Sequence, residues 1–242
     1  MSLSNYVHLC EQLNAQRCHV TERLKITSNT KSLRVQPTSA GELRSIIEQE
    51  LEQQGSDADL NFIDTSEITD MTGLFKWLDI RNIKIDEWNT SKVTTMQGMF
   101  AGCENFKGEG LENWDVSNVT KMVYMFDGCI KFVGNLYGWN TSKVDDMYGM
   151  FSGCIKFKGK GLENWDTSKV DDMRYMFHNC KKFNAPISSW DVSNVTNMDG
   201  MFLGCWEFKQ DLSGWNVARV RLHQNFFGKK NIMPDNFKPT FK

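Results

Sequence analysis

WNTSKVTTMQGMFAGCENFKGEGLENW, residues 88–114, runs from one tryptophan to the next and decides how the rest of the chain is interpreted. From Trp88 onward, tryptophan recurs at intervals of 26, 25, 26, 25 and 25 residues. The series is Trp88, Trp114, Trp139, Trp165, Trp190 and Trp215. A fixed period of this length indicates tandem copies of one 25- or 26-residue structural unit.

Other apolar residues recur in register with tryptophan. In the quoted copy they are Val93, Met96, Met99, Phe100, Cys103 and Phe106. Four of them follow the spacing i, i+3, i+4, i+7, which is typical of one face of a short helix, and the rest of the unit has room for a short strand. One copy cannot bury its own apolar face, so the copies must stack. We therefore predict an α/β repeat solenoid with a short strand and a short helix in every turn.

The segments outside the repeats differ in how clearly they can be interpreted. QPTSAGELRSIIEQELEQQG, residues 36–55, has Ser39 and Glu42 as a capping box and Gly55 as a stop signal. We expect a helical N-terminal cap over 37–58, six to seven repeats over 59–227, and a C-terminal cap over 228–242. Residues 1–36 form an N-terminal segment whose structure the sequence does not define.

Composition restricts the classes of partner. Lys and Arg number 28 against 30 Asp and Glu, so the chain lacks the positive charge that nucleic-acid binding requires. There is no apolar run long enough to span a membrane and no recognisable signal peptide, which predicts a cytoplasmic location for the chain as given. Five of the seven cysteines recur with the repeat, which favours reduced thiols over a disulfide framework.

Three stretches, SKVTTMQGMFAGC (91–103), SNVTKMVYMFDGC (117–129) and SNVTNMDGMFLGC (193–205), carry a family resemblance. Joined by WDVS or WNTS, they resemble the BspA-like leucine-rich repeat surface proteins of bacteria, and within these the repeat of mycoplasma-type lipoproteins. The resemblance covers about residues 59–227. It implies a right-handed leucine-rich-repeat-like coil, a role in adhesion or other macromolecular recognition, and no catalytic residues. The chain departs from the family in having no visible secretion leader, which leaves a surface location dependent on a leader removed from this sequence.

Positions that vary between copies are the candidates for binding, because stacking does not dictate their side chains. Tyr124 and Tyr175 alternate with glycine in one column, while Tyr148 and Arg174 occupy the column before. Tyrosine and arginine are enriched at binding hot spots. The alternative is that the tyrosines only cover the outer side of the array.

Two further sets of residues have both a functional and a structural interpretation. Four carboxylates fall on adjacent copies, at Asp145, Asp146, Asp171 and Asp172. Calcium would need six to eight oxygen ligands there, and the flanking lysines favour a solvated acidic face. The cysteine column could bind a soft metal, but a column on the apolar face favours core packing.

The predicted function is non-enzymatic binding or adhesion, with a protein or a glycan as partner and with no cofactor or metal. An alternative is an intracellular regulatory or immunity-like protein whose N-terminal segment carries the activity while the repeats act as a scaffold. A third possibility is an enzyme with a site between the N-terminal segment and the first copy, built from His8, Cys18 or His19 and an acid. No nucleophile, metal or phosphate motif supports that possibility.

Overall fold

The computed structural model describes residues 34–241 of the chain. Helix α1 spans Ala40–Gln54, and two single-turn 3-10 helices span Leu111–Asn113 and Asp235–Phe237. The other described residues form turns, bends, extended segments and isolated β-bridges. The N-terminal residues on which the enzyme and regulatory interpretations depend, including His8, Cys18 and His19, lie outside the described residues.

The predicted N-terminal helix is confirmed as α1. The Ser39 Oγ accepts a hydrogen bond from the amide of Glu42 at 3.1 Å, and Gly55 donates its amide to the Leu51 carbonyl at 2.9 Å. The Arg44 side chain then donates to the Gly73 carbonyl at 2.7 Å, which ties the helix to the first repeat. Helix α1 is the longest helix among residues 34–241, and none of the helices there combines the length and apolar character that a bilayer crossing demands.

Successive repeats lie on one another in register. Parallel bridges, each a single residue wide, connect equivalent positions of neighbouring repeats along one line. That line runs Asp70, Thr95, Lys121, Asp146, Asp172, Asn197 and Leu222. We call residues 59–227, stacked in this way, the repeat array.

The predicted α/β solenoid with leucine-rich-repeat-like turns is wrong. Within residues 34–241 the only α-helix is α1, and each bridge stands alone without extending into a strand or a sheet. The predicted helix of each repeat is instead a chain of turns in which alternate amides have different partners. Met99 donates to Met96 three residues back at 3.2 Å, whereas Gly98 and Phe100 donate to Val123 and Met125 of the next repeat, both at 2.8 Å.

Backbone geometry explains why no helix forms. Gly98 and Gly102 have φ values of +57° and +76°, and a left-handed residue at this spacing interrupts a right-handed helix. Gly102 ends this chain of turns, and the helix predicted before it does not form. The four apolar residues at this spacing still share one buried face, because a run of such turns also brings residues i, i+3, i+4 and i+7 to the inside.

The core consists of the repeated apolar columns. The rings of Phe100, Phe126, Phe151 and Phe177 are fully buried and stack with centroids 5.5–5.7 Å apart. Stacked pairs of tryptophans from neighbouring repeats have nearly parallel rings, with ring centroids 6.1–6.3 Å apart. Burial of these rings confirms that the repeats shield one another and explains why a single repeat would not be stable.

Candidate functional site

The predicted tyrosine and arginine positions do come together on one surface. Tyr124 and Tyr148 have ring centroids 4.5 Å apart, and the Arg174 guanidinium lies 4.4 Å from the Tyr148 ring centroid. Tyr175 lies beyond, 6.3 Å from Tyr148 between ring centroids. We call Tyr124, Tyr148, Arg174 and Tyr175 the tyrosine ladder. Its side chains are half-buried, so their free faces are accessible to a partner.

Two members of the ladder have an unfavourable backbone conformation. Tyr124 and Tyr175 have φ values of +53° and +51°, in the left-handed region that bulky residues rarely adopt. Such a conformation costs a non-glycine residue about 1–2 kcal/mol. Other repeats place glycine at the same position, for example Gly98 and Gly149. Because backbone strain of this kind concentrates at functional sites, it points to a role for these two tyrosines beyond stacking.

Each left-handed tyrosine lies over the glycine of the next repeat. A Cβ atom at Gly149 would lie 2.4 Å from Tyr124 Cε1, and one at Gly200 would lie 2.3 Å from Tyr175 Cε1. A tyrosine in this column thus requires glycine at the same position of the next repeat. The Tyr175 hydroxyl also donates to Asp199 Oδ2 at 3.4 Å, beside that glycine.

The four carboxylates lie beside the ladder and are partly neutralised by basic side chains. Lys121 Nζ is 2.7 Å from Asp145 Oδ1, and Arg174 Nη2 is 2.7 Å from Asp172 Oδ2. Burial raises the pKa of Asp146, and the neighbouring charges of Asp172 and Asp171 raise it further. Asp171 is exposed to solvent. These pairings support the interpretation as a charged, solvated face, and no group of residues that could hold a metal ion is found among residues 34–241.

The cysteine column is part of the core. The thiol of Cys129 donates to the Phe100 carbonyl at 3.0 Å, and Cys154 does the same to Phe126 at 3.1 Å. Burial raises the pKa of Cys103 to about 12 and that of the other repeat cysteines as well. A thiol of high pKa without solvent access is a poor nucleophile and a poor metal ligand.

Trp77 is a surface residue that our sequence analysis did not identify. Its side chain is 72% exposed, and its φ of +66° places it in the left-handed column that contains Gly102 and Gly128. The Trp77 ring lies over Gly102, where an added Cβ would be 1.9 Å from Cε3 of the indole. The sequence does distinguish this residue, because the first, divergent repeat has tryptophan at a position where later repeats have glycine or asparagine.

A groove of about 450 Å³ lies between Trp77 and Tyr124. Its floor is formed by Gly73, Gly98 and Ala101. This volume falls within the range of pockets that bind small molecules or single side chains. The groove therefore extends the accessible aromatic surface from the ladder to the first repeat.

Comparison with known protein families gives a match over most of the chain. Residues 46–160 and 146–238 each match the family described as "Mycoplasma protein of unknown function, DUF285". Neither the curated proteins nor the solved structures give a match. The resemblance noted in the sequence is thus supported at the level of a mycoplasma-type repeat family, without support for the leucine-rich-repeat assignment.

Proposed function

We propose that this chain, which belongs to the DUF285 family of Mycoplasma proteins of unknown function, is a non-enzymatic binding protein that recognises a macromolecular partner through the tyrosine ladder. The observation that carries the proposal is the left-handed backbone of Tyr124 and Tyr175. Glycine fits this position in other repeats without strain, so the tyrosines are retained at a cost of about 1–2 kcal/mol each.

The composition of the ladder suits recognition. Tyrosine and arginine offer large, rigid contact surfaces together with hydrogen-bonding groups. Asp172 accepts hydrogen bonds from the Arg174 Nε at 2.8 Å, which holds the guanidinium over Tyr148 before any partner arrives. Preorganisation of this kind lowers the entropy cost of binding.

A protein partner, or alternatively a glycan, is favoured over nucleic acid because acidic side chains flank the ladder. Asp145, Asp146, Asp171 and Asp172 would repel a phosphate backbone. Adhesion as the setting of this role is inferred only from the resemblance of the repeat to that of mycoplasma-type lipoproteins.

The proposal is tested by comparing two double variants with the wild-type chain. Tyr148→Ser/Arg174→Ser removes one aromatic ring and one cation from the ladder. Tyr137→Ser/Lys160→Ser also removes one aromatic ring and one cation, but from exposed positions outside the ladder. Ligands are selected from a displayed random-peptide library and a glycan array, and their affinities are measured by biolayer interferometry.

We expect the ladder variant to lose at least about tenfold in affinity for the selected ligands, and the control variant less than about twofold. Equal losses in the two variants, or no ligand that discriminates between them, would refute the proposal. Circular dichroism and thermal unfolding of both variants show whether the fold is retained.

A further inference from the structure

One column of left-handed residues runs the length of the repeat array. It contains Gly73, Gly98, Tyr124, Gly149, Tyr175, Gly200 and Asn225, with φ values between +51° and +61°. Each amide in this column from Gly73 to Gly200 donates to a carbonyl of the next repeat, so the backbone environment is the same at these positions. The side chain is what differs, and it decides whether the glycine in the next repeat is covered.

Gly98 is a glycine in this column with no ring above it. Tyr124 covers Gly149 and Tyr175 covers Gly200, but the residue that would cover Gly98 is Gly73, which has no side chain. A Cβ at Gly98 would have Ala101 Cβ as its nearest neighbour, at 3.8 Å. The site over Gly98 therefore has the shape that elsewhere in this molecule accommodates a tyrosine ring.

The groove described above lies over this uncovered glycine. Trp77 and Tyr124 form its two aromatic walls, while Lys76 and Asp127 place one charge of each sign on its lining. A balanced pair of charges favours a neutral guest over an anion. Aromatic walls around a glycine floor favour a flat ring, because offset and edge-to-face ring pairs add to the apolar surface buried.

We propose that the groove over Gly98 binds a tyrosine side chain presented by a segment of the partner protein. The guest ring takes the place over Gly98 that Tyr124 takes over Gly149. Its hydroxyl lies beside Gln97, since the Tyr175 hydroxyl lies beside Asp199, the residue before Gly200. The exposed Gln97 amide oxygen is then available as the acceptor. This inference rests on the proposed function and specifies what the partner must offer next to the ladder.

The test uses the full chain labelled with ¹⁵N in its tryptophan indoles, and N-acetyl-tyrosinamide as the probe. We expect a saturable shift of the Trp77 indole signal, assigned with Trp77→Gly, with a Kd on the order of millimolar. N-acetyl-leucinamide and methyl β-glucopyranoside serve as the aliphatic and the sugar comparison. Binding of the glucoside in preference to the tyrosine derivative would overturn the inference, as would the absence of any Trp77 shift.

A pair of variants at Gly73 tests the location of the site. Gly73→Tyr builds the chain's own ring over Gly98 and should abolish probe binding. Gly73→Ala puts a non-glycine residue in the same left-handed conformation, and its single methyl group is too short to cover Gly98. It should retain the probe affinity within about twofold. Probe binding that survives Gly73→Tyr, or is lost equally in Gly73→Ala, would refute the proposed location.

The probe-binding test of the groove can fail without the ligand-affinity test of the tyrosine ladder failing, and the reverse is also true. Tyr148 and Arg174 do not line the groove, so Tyr148→Ser/Arg174→Ser should bind the probe like the wild-type chain. Loss of probe binding in this variant would count against a site confined to the groove. Failure of the probe to bind any folded variant removes the groove proposal and leaves the ladder to be decided by its own selected ligands.

Discussion

The stacking of Tyr124 on Gly149 predicts that two chemically identical substitutions will have different effects. Gly98→Ala and Gly149→Ala both introduce a methyl group at a left-handed residue, with φ values of +57° and +60°. Each should therefore lose about 1–2 kcal/mol of unfolding free energy from backbone strain alone. This shared cost makes Gly98→Ala a matched control for Gly149→Ala.

The two sites differ in what the new methyl group meets. At Gly98 the nearest neighbour is 3.8 Å away, whereas at Gly149 the Tyr124 Cε1 atom is at 2.4 Å. The Tyr124 ring must move, and it then loses its packing on Tyr148, whose ring centroid is 4.5 Å away. Overpacking costs about 1–3 kcal/mol and a lost ring pair about 0.5–1.5 kcal/mol. Because a half-exposed ring can move partly into solvent, we expect Gly149→Ala to cost about 1–3 kcal/mol more than Gly98→Ala.

Urea unfolding followed by circular dichroism measures both costs. The assay is repeated in a Tyr124→Gly background, which removes the ring and restores the residue that other repeats have at this position, such as Gly98. In that background the two alanine substitutions should cost the same. The reasoning is refuted if they are equally destabilising in the wild-type chain, or if the extra cost of Gly149→Ala persists without the ring.

Three further predictions follow from the core and the turns. Thr141 is buried and donates its hydroxyl to the Asp166 carbonyl of the next repeat at 2.9 Å, whereas Val116 holds the equivalent place in another repeat. In urea unfolding, Thr141→Val should lose about 0.5–1.5 kcal/mol of unfolding free energy and Val116→Thr should gain a similar amount. A gain for Thr141→Val or a loss for Val116→Thr would contradict a stabilising role of this hydrogen bond. Burial raises the pKa of every repeat thiol, so these thiols should be unreactive in the folded chain. With Cys10 and Cys18 changed to serine, the chain should react with 5,5′-dithiobis(2-nitrobenzoate) only as it unfolds. Rapid labelling of the folded chain would contradict the burial of the cysteine column. Hydrogen bonds from Ser168 lower the pKa of Asp166, so its carboxylate stabilises the fold above the ordinary pKa of aspartate, and this contribution is lost as pH falls through the lower pKa of the folded state. The difference in unfolding free energy between the wild-type chain and Asp166→Asn should therefore shrink between about pH 6 and about pH 3. A difference that stays constant over this range would refute the linkage.

The sequence alone determined the period, the core columns and α1. Tryptophan and phenylalanine at a fixed interval must be buried together, since a single 25-residue unit has no other way to shield them. The capping signals at Ser39 and Gly55 are local, so the helix between them could be predicted without knowledge of its neighbours. The columns of the tyrosine ladder were also predictable, because side chains in register on adjacent repeats lie next to one another.

Only the tertiary structure decided the backbone of each repeat and the location of the groove. The spacing of Met96, Met99, Phe100 and Cys103 fits a helix as well as a run of turns, and the choice depends on whether alternate amides bond within the repeat or to the next one. That partner is absent until the next copy has stacked. The groove over Gly98 depends in the same way on a neighbouring repeat, because a ring anchored in one copy covers the glycine of the following copy. Sequence period fixes which residues are neighbours, whereas the direction of a backbone amide or an aromatic ring is set by three-dimensional packing.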